Sequence, residues 1–451
     1  MKKHSLYALA AAGLLAGGLS VSSASAADLG GNCCADLEER IAELEATTAR
    51  KGNRKVSLTI SGWVAQQVLA WDDGVESNVY VTDTGSVSIG THVKFSGQAS
   101  IAPGWTAGYV LNVEAIQNDS LLVDQNTDNG IAPNAQSAVA NGAASPLAVE
   151  SSYWFVKSDT YGRVSVGKQS SAADNQAILP DGSGSLVVAN YVLYDVNAFF
   201  LRNSNGSLSN LRYANLGTCQ TLNGGGGTVA DCDGYPNNNV RYDSPTFGGF
   251  SLSASWGEDD IWAISGRYAG EFSSFKVAGA IAYNESTDEN GPGGVANVGP
   301  NFSAAALQLG GYVQHIPTGL FIYGAYGDEY NNTAGSVEVE GDNWYIKPGI
   351  RTRLNPLGST VFYGEYGRAN DKLDTASFNS GITDSELTQY GLGVVQEVDA
   401  AAMSVWLSWR HYDAEVNCSA AGTCAADANI SVGHNEFENF DLFKAGALIN
   451  F

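Results

Sequence analysis

From residue 56 to the last residue, hydrophobic and polar side chains alternate along the chain with a period of two. In the first such segment Val56, Leu58 and Ile60 share one face, while Ser57 and Thr59 share the other. Side chains spaced in this way point to opposite sides of a β-strand. Ser, Gly, Gln, Lys and Arg fill the polar face, which suits water rather than the dry interior of a soluble sandwich. The pattern therefore predicts strands with one face toward lipid and the other toward water.

Sixteen segments carry this alternation, and most are close to the roughly 9 to 11 residues that a tilted strand needs to cross a membrane. We predict strands at 56–71, 86–101, 106–116, 151–158, 162–169, 238–244, 250–258, 261–270, 275–284, 303–315, 319–328, 342–353, 360–369, 387–398, 402–413 and 439–451. A further candidate at 208–214 is assigned to a loop, because single-chain bacterial barrels have an even number of strands. Residues 55–451 are therefore predicted to be all-β, a sixteen-stranded antiparallel transmembrane β-barrel. Such a barrel encloses a water channel.

The connections between these strands alternate in length. Short turns such as 102–104 and 317–319 are separated by mostly longer, polar segments rich in Gly, Asn and Asp. The long loops are predicted at 117–149, 171–237, 285–301, 329–341, 370–385 and 415–436. Short turns on one side and long loops on the other are typical of bacterial barrels.

Aromatic residues near the strand ends are predicted to form girdles at the two membrane interfaces, where amphipathic rings are favoured. They are Trp71, Trp105, Tyr153, Trp262, Trp344 and Trp409.

The N-terminus differs from the rest of the chain. Lys2 and Lys3 precede an apolar stretch that ends at Ala24-Ser25-Ala26, which is the composition of a cleaved secretory signal peptide. We predict the signal peptide over 1–26; a short membrane anchor is the alternative, and the cleavage motif disfavours it. After secretion the chain enters a compartment that permits disulfides.

Residues 27–54 are predicted to be a periplasmic segment with a short helix. Leu37, Ile41, Leu44 and Thr48 are spaced as the a and d positions of two heptads. Two heptads are too short to associate unaided. The segment is either a short three-stranded coiled coil, formed if the barrels trimerise, or a solvated amphipathic helix or frayed tail.

Composition narrows the function classes. Charged residues make up 16% of the 451 residues, against about 25% in an average soluble domain. The formal net charge of −24 argues against nucleic-acid binding, which requires a basic surface. If this charge reaches the lumen, the channel is expected to prefer cations.

Six cysteines fall into three close pairs. Cys219 and Cys232, and likewise Cys418 and Cys424, are predicted to form disulfides within their loops, whereas the state of Cys33 and Cys34 is left open. The five histidines are scattered, and none is placed beside a CxxC motif. The sequence therefore predicts neither a metal site nor a cofactor.

The last strand carries a distinct signal. Phe443, Ile449 and Phe451 occupy alternate positions, and the final residue is aromatic. A terminal Phe on an amphipathic closing strand resembles the recognition signal of the machinery that inserts barrels into the outer membrane. The barrel-assembly machinery is therefore a predicted partner.

A wide lumen requires a constriction to set its size limit. The loop after the fifth strand begins near Ser170 and carries Asp174, Asp181 and Asp195 among small and apolar residues. We predict that this loop lies against the inner wall with its carboxylates toward water. The alternative is an external flap with solvated carboxylates.

Basic residues on the strands are expected to face the lumen, because a charge on the lipid face costs about 2 to 4 kcal/mol at the midplane. Lys347, Arg351 and Arg353 share one face of one strand and form the best ladder. Acidic groups on the loop and basic groups on the wall would produce a transverse field; the alternative is salt bridges within the wall. The predicted pore-wall bases are Arg241, Arg267, Lys347, Arg351, Arg353 and Arg410, and Lys94, Arg163 and Lys276 have the same parity.

Several stretches resemble the alphaproteobacterial porins of the rhizobial and Brucella type. They are CCADLEERIAELEATTARKGNRKVSLTISGWV near the N-terminus, YGRVSVGKQSSAADN at 161–175, NVRYDSPTFGGFSLSASWGED at 239–259 and the closing strand. The resemblance implies a homotrimer of barrels with one loop folded into each lumen. It also implies passive diffusion of small hydrophilic solutes and ions, within a bilayer that contains lipopolysaccharide.

Three other functions are considered. A substrate-specific channel would need a continuous track of aromatic or basic groups through the lumen. A structural surface barrel would need a plug, and the N-terminal segment is small and charged for that role. An enzyme would need a catalytic constellation, and the sequence holds neither a G-x-S-x-G elbow nor an HExxH motif.

Overall fold

The computed structural model describes a large part of the chain. The described residues are 56–85, 89–115, 118–127, 147–190, 195–217, 236–257, 260–287, 303–332, 339–372, 381–419, 424 and 427–451. The predicted signal peptide (1–26), the segment 27–54 and four cysteines (Cys33, Cys34, Cys219 and Cys232) lie outside them. No helix among the described residues has the length and apolar character needed to span a membrane.

Sixteen antiparallel strands close into one barrel within the described residues. They are β1 (Thr59–Asp72), β2 in two segments (Ser77–Thr82 and His92–Ala102), β3 (Trp105–Ala115), β4 (Leu147–Ser158), β5 (Gly162–Gln169), β6 (Asn237–Asp243), β7 (Phe250–Gly257), β8 (Trp262–Phe272), β9 (Phe275–Ser286), β10 (Ser303–His315), β11 (Leu320–Asn332), β12 (Val339–Asn355), β13 (Gly358–Asn370), β14 (Ile382–Val398), β15 (Met403–Cys418) and β16 in two segments (Gly433–Glu436 and Phe440–Asn450). Each strand pairs with its neighbour in the sequence. The barrel closes where β16 pairs with β1, from Trp63 opposite Asn450 to Asp72 opposite Asp441.

The predicted sixteen-stranded barrel is confirmed, and every predicted segment overlaps a strand. Leu208–Arg212 pairs with Phe200–Arg202 in a small hairpin outside the barrel sheet, so its assignment to a loop also agrees with the structure. One strand differs from its prediction. β2 is interrupted, and its first segment, Ser77–Thr82, was not predicted, because this six-residue run is too short to stand out beside the turn residues before it.

The alternation of side chains produces two different surfaces. On β1, Val64 and Val68 are half exposed on the outside of the barrel, whereas Ala65 and Leu69 are fully buried on the inside. The other strands repeat this arrangement, because successive side chains of a strand point to opposite faces. The outer surface is therefore an apolar band. Its members include Leu252, Trp256, Ile264, Ile281, Ile322, Phe362, Leu392, Leu407, Phe443 and Ile449.

The two ends of the barrel differ in the lengths of their connections. On the turn side, the strands are joined by 103–104, 159–161, 244–249, 273–274, 316–319, 356–357 and 399–402. Gly104 and Gly319 have positive φ values of 72° and 73°, which a residue without Cβ adopts without strain. On the loop side most connections are longer, except 73–76 and 258–261. Cys418 and Cys424 form a disulfide at the start of the last long connection.

Candidate functional site

The connection between β5 and β6 folds into the barrel. We call its described residues, 170–190 and 195–217, the folded loop. Its first residues are anchored to β7, where the backbone N–H of Ala172 donates to Ser255 Oγ at 2.8 Å. Small and apolar side chains, including Ala177, Ile178 and Ala189, are completely buried. The loop can lie close to the wall because these side chains fit against it without burying unpaired polar groups.

Lys347 of β12 anchors the middle of the folded loop. Its Nζ lies 2.6 Å from Asp181 Oδ2, and both side chains are completely buried. The same ammonium donates to the carbonyl oxygen of Ala189 at 2.5 Å. Lys347 therefore binds two segments of the loop, one at Asp181 and the other at Ala189.

Lys444 of β16 makes a second anchor of the same kind. Its Nζ lies 2.6 Å from Asp195 Oδ2, and it also donates to the carbonyl oxygen of Val188 at 2.9 Å. The other carboxylate oxygen of Asp195 accepts from Gln67 Nε2 of β1 at 2.8 Å. Sequence analysis missed Lys444, although its parity opposite to Phe443 placed it on the lumen side.

The backbone of the folded loop also contacts the barrel wall between these two lysine anchors. Tyr323 of β11 donates its hydroxyl to the carbonyl oxygen of Ala177 at 2.6 Å. A Cβ atom added to Gly310 of β10 would lie 2.2 Å from that same oxygen, so the loop can approach the wall only because position 310 is glycine. Arg351 of β12 donates to the carbonyl oxygen of Ser183 at 2.9 Å and pairs with Glu397 of β14 at 2.6 Å.

An aromatic cluster fixes the later part of the folded loop. Phe199 and Tyr213 of the loop pack against Trp71, Tyr412 and Phe440 of the wall, with ring centroids 4.9 to 5.7 Å apart. All five side chains are buried, and burial raises the pKa of Tyr213 well above its usual value. The prediction that Trp71 belongs to an interfacial girdle is wrong, because its ring faces inward and contacts the loop. Trp105, Trp262 and Trp344 are exposed on the outside.

A third ion pair holds the hairpin of the folded loop to the loop-side end of the barrel. Arg202 Nη2 lies 2.6 Å from Asp73 Oδ2 and 2.9 Å from Glu76 Oε2. Arg202 and Asp73 are both buried, and Gln125 also donates to Asp73 at 3.2 Å. No sequence pattern predicts this contact, because Asp73, Gln125 and Arg202 come from three separate connections.

The inward-facing charges of β2 and β4 to β8 form a separate group, which we call the charge cluster. Asp243 accepts from Arg163 and from Arg241, each at 2.9 Å. Arg241 also donates to the carbonyl oxygens of Ser170 and Ser171 at 3.1 and 2.7 Å. The cluster comprises Lys94, Glu150, Arg163, Asp174, Arg241, Asp243 and Arg267, all partly exposed except Asp174, which is buried.

Asp174 is the residue that connects the folded loop to this cluster. Its carboxylate is close enough to Glu150 and Arg267 to act on both electrostatically. Arg267 Nε donates to the neighbouring Gln176 side chain at 2.5 Å. Of the three predicted loop carboxylates, Asp174 thus lies beside partly exposed charges, while Asp181 and Asp195 are each paired with a wall lysine.

The remaining predicted residues lie elsewhere. Arg410 pairs with Glu365 at 2.7 Å, and both are buried. Arg353 pairs with Asp399 near the turn side, where both side chains are more than half exposed. Phe443, Ile449 and Phe451 are exposed on the outer surface of β16.

Among the described residues, one group of three histidine and acidic side chains has its ligand atoms close together. Glu415, His434 and Glu436 hold their ligand atoms within 4.8 Å of one another. They lie on the face of β15 and β16 opposite to the buried Ala414 and Val416. This group is therefore on the outer surface and takes no part in the lumen.

Comparisons with known proteins agree with this architecture. A family model described as Gram-negative porin matches residues 8–405. The chain is similar to the solved structure of an anion-selective porin from Comamonas acidovorans, with 13% identity and a TM-score of 0.55, over 88% of this chain and 100% of that one. It is also similar to OmpT, an outer membrane protein of Vibrio cholerae in a trimer form (12%, TM-score 0.52, 88% and 100%), and to Salmonella typhi OmpF in complex with daunomycin (13%, TM-score 0.50, 89% and 100%). None of the curated proteins matches the chain.

Proposed function

Since the chain belongs to the Gram-negative porin family, it forms a water-filled channel of the outer membrane, and we propose that the folded loop sets the size limit of that channel. Small hydrophilic solutes and ions diffuse passively through it. The family and the fold indicate a channel rather than an enzyme. The rhizobial and Brucella-type subgroup remains a prediction from the sequence motifs. The proposal rests on the buried ion pairs that fix the loop to the barrel wall, Lys347 with Asp181 and Lys444 with Asp195.

The loop divides the lumen into two regions with different roles. Against β10 to β16 and β1 the loop is packed and dry, so Asp181 and Asp195 act as anchors. Beside β2 and β4 to β8 the charge cluster remains partly exposed, and we assign the path of solutes to this region. Arg241 and Arg267 then face passing solutes, Asp174 lies buried beside them, and Lys347 and Arg351 bind the loop.

The charge cluster favours anions in this proposal. It contains four basic and three acidic side chains, so its formal charge is positive. Acidic residues on the external loops have little effect on ions beside the charge cluster, because salt screens exposed charges over about 8 Å at physiological ionic strength. The proposed preference is therefore opposite to the one expected from the net charge of the whole chain.

Planar-bilayer recordings of the purified protein test this function. We expect an ohmic conductance that falls as larger sugars are added, and a reversal potential in a KCl gradient that favours chloride. Block by one solute at low concentration would indicate a substrate-specific channel instead. A protein that inserts without conducting would be a plugged structural barrel. A reversal potential that favours potassium would contradict the role assigned to the charge cluster.

We further propose that three copies of the barrel assemble through the side formed by β5 to β7. These strands have only 8, 7 and 8 residues, fewer than the 9 to 11 or so that cross a bilayer. Their outer residues Val164, Val240 and Leu252 are exposed, and neighbouring copies would cover them. A trimer band in unheated gels, lost after Leu252→Arg but kept after Leu407→Arg, would support this. Contacts with lipopolysaccharide and with the barrel-assembly machinery, the latter through Phe451, remain predictions.

A further inference from the structure

The interruption of β2 creates a polar pocket at the lumen wall. The first segment of β2 ends at Thr82 opposite Gln67, and the second begins at His92 opposite Trp63. The segment 118–127 lies against this gap. The backbone N–H of Asp83 donates to the carbonyl oxygen of Asn118 at 3.0 Å, and Asn118 Nδ2 donates to the carbonyl oxygen of Val81 at 2.6 Å.

In the part of the chain that the structure describes, three side-chain oxygens at this junction are buried without a hydrogen-bond partner. They are Asp83 Oδ2, Asn118 Oδ1 and Ser120 Oγ. Asp83 and Ser120 are completely buried. The other carboxylate oxygen of Asp83 accepts from the backbone N–H groups of Gly85 at 2.9 Å and Ser120 at 3.2 Å. These bonds hold the residues that carry the three oxygens next to one another.

An unpaired carboxylate oxygen in such a place has a large desolvation cost unless a positive charge neutralises it. The carboxylate of Asp119 lies near enough to Asp83 to act on it electrostatically. The salt bridges of the described residues include none to Asp83. The pocket therefore offers oxygen ligands and a second nearby carboxylate, and no described residue supplies a cation to Asp83.

We propose that Asp83, Asn118 and Ser120 form a site for a divalent metal ion of the Ca²⁺ class. Hard cations of this kind take carboxylate, amide and hydroxyl oxygens, together with backbone carbonyls and water. The bound ion neutralises Asp83 and joins the gap in β2 to the segment 118–127. Gln67 links this site to the folded loop, since its Nε2 donates both to the Asp83 carbonyl oxygen at 3.1 Å and to Asp195 at 2.8 Å.

The test uses the full-length mature protein refolded in detergent without lipopolysaccharide, so that cations held by lipid phosphates do not contribute. Isothermal titration with CaCl₂ is expected to show saturable binding of one ion per chain. The melting temperature is expected to be higher in millimolar Ca²⁺ than in EDTA. Asp83→Asn is expected to lose both effects, whereas Asp328→Asn, which removes an exposed carboxylate on the outer surface, is expected to keep them.

Ser120→Ala is the second variant, because it keeps both carboxylates and is expected to bind Ca²⁺ more weakly while folding normally. The absence of saturable binding in the wild-type protein would overturn the proposal, as would an unchanged Ca²⁺ effect in Asp83→Asn. If the Asp83 carboxylate is neutralised by a proton and not by a metal ion, the stability measurements will give a different result. The wild-type protein alone would then gain stability on acidification, with no response to Ca²⁺. That outcome would also overturn the proposal, and none of these results depends on conductance.

Discussion

Lys347 is the residue on which the position of the folded loop depends most directly. Lys347→Met leaves the Asp181 carboxylate buried without a countercharge, and breaking a buried pair in this way costs about 3 to 5 kcal/mol. We expect a lower free energy of unfolding in lipid vesicles and a higher, noisier single-channel conductance, because the middle of the loop is released from the wall.

Two controls separate loss of the pair from loss of a charge. Arg353→Met removes an exposed pair with Asp399, which contributes at most about 1 kcal/mol. The double variant Lys347→Met, Asp181→Leu leaves no unpaired charge and is expected to recover much of the stability. Equal effects of Lys347→Met and Arg353→Met would show that the buried pair does not hold the loop.

Arg267 is expected to control ion selectivity rather than stability. It belongs to the partly exposed charge cluster, and its side chain contacts Gln176 of the folded loop. Arg267→Gln removes one positive charge from the proposed path, so the reversal potential in a KCl gradient should shift toward cation preference. Arg353→Gln is the control, because Arg353 lies near the turn side. A larger shift from the control would move the selective region to that end of the barrel.

At the residue scale, the sequence predicts which side chains face inward but not what they contact. Alternation placed Lys347, Arg351 and Arg410 on the lumen side, and the structure agrees with that. It did not show that Asp181 reaches Lys347, because the two are 166 positions apart and only the path of the loop brings them together. The same holds for Lys444: alternation places it on the lumen side between Phe443 and Ala445, but its partner Asp195 is 249 positions away.

At the scale of elements, β10 and the folded loop fit together through the absence of a side chain. Gly310→Ala would place a Cβ atom 2.2 Å from the carbonyl oxygen of Ala177, so the loop must move away. Overpacking of this kind costs about 1 to 3 kcal/mol. We expect Gly310→Ala to raise the single-channel conductance and to lower the melting temperature.

The next residue provides a matched control. A Cβ atom at Gly311 meets no atom within 4 Å, because this position faces outward. Gly311→Ala should therefore leave conductance and melting temperature unchanged, although the substitution and the strand are the same. If both variants changed conductance and melting temperature alike, strand propensity would explain the change, and the contact between Gly310 and the folded loop would not.

The strands could be predicted because each carries its own pattern, and the loops could not because their contacts are distant. Phe250–Gly257 alternates polar and apolar residues without exception, so its extent follows from its own residues. The break in β2 depends instead on Asp83 and Asn118 meeting across 35 positions. Likewise, the sequence indicated a folded loop after β5, but its division of the lumen into a packed side and a charged side required the structure.

At the scale of the whole molecule, the distribution of side chains is the reverse of that in a soluble protein. Apolar side chains form an exposed outer band, and lysines are buried inside the barrel. The two surfaces should respond oppositely to the same substitution. Ile281→Arg places a charge on the outer face of β9, where Ile281 is half exposed, and should cost about 2 to 4 kcal/mol in lipid vesicles. Gln98→Arg places the same charge on the inner face of β2, at an exposed position with the parity of Lys94, and should cost little while strengthening anion preference. Urea unfolding in vesicles gives the energies, and reversal potentials give the selectivity. Comparable losses of stability at both positions would mean that the inner face of β2 is dry, and the water-filled path along β2 and β4 to β8 would have to be abandoned.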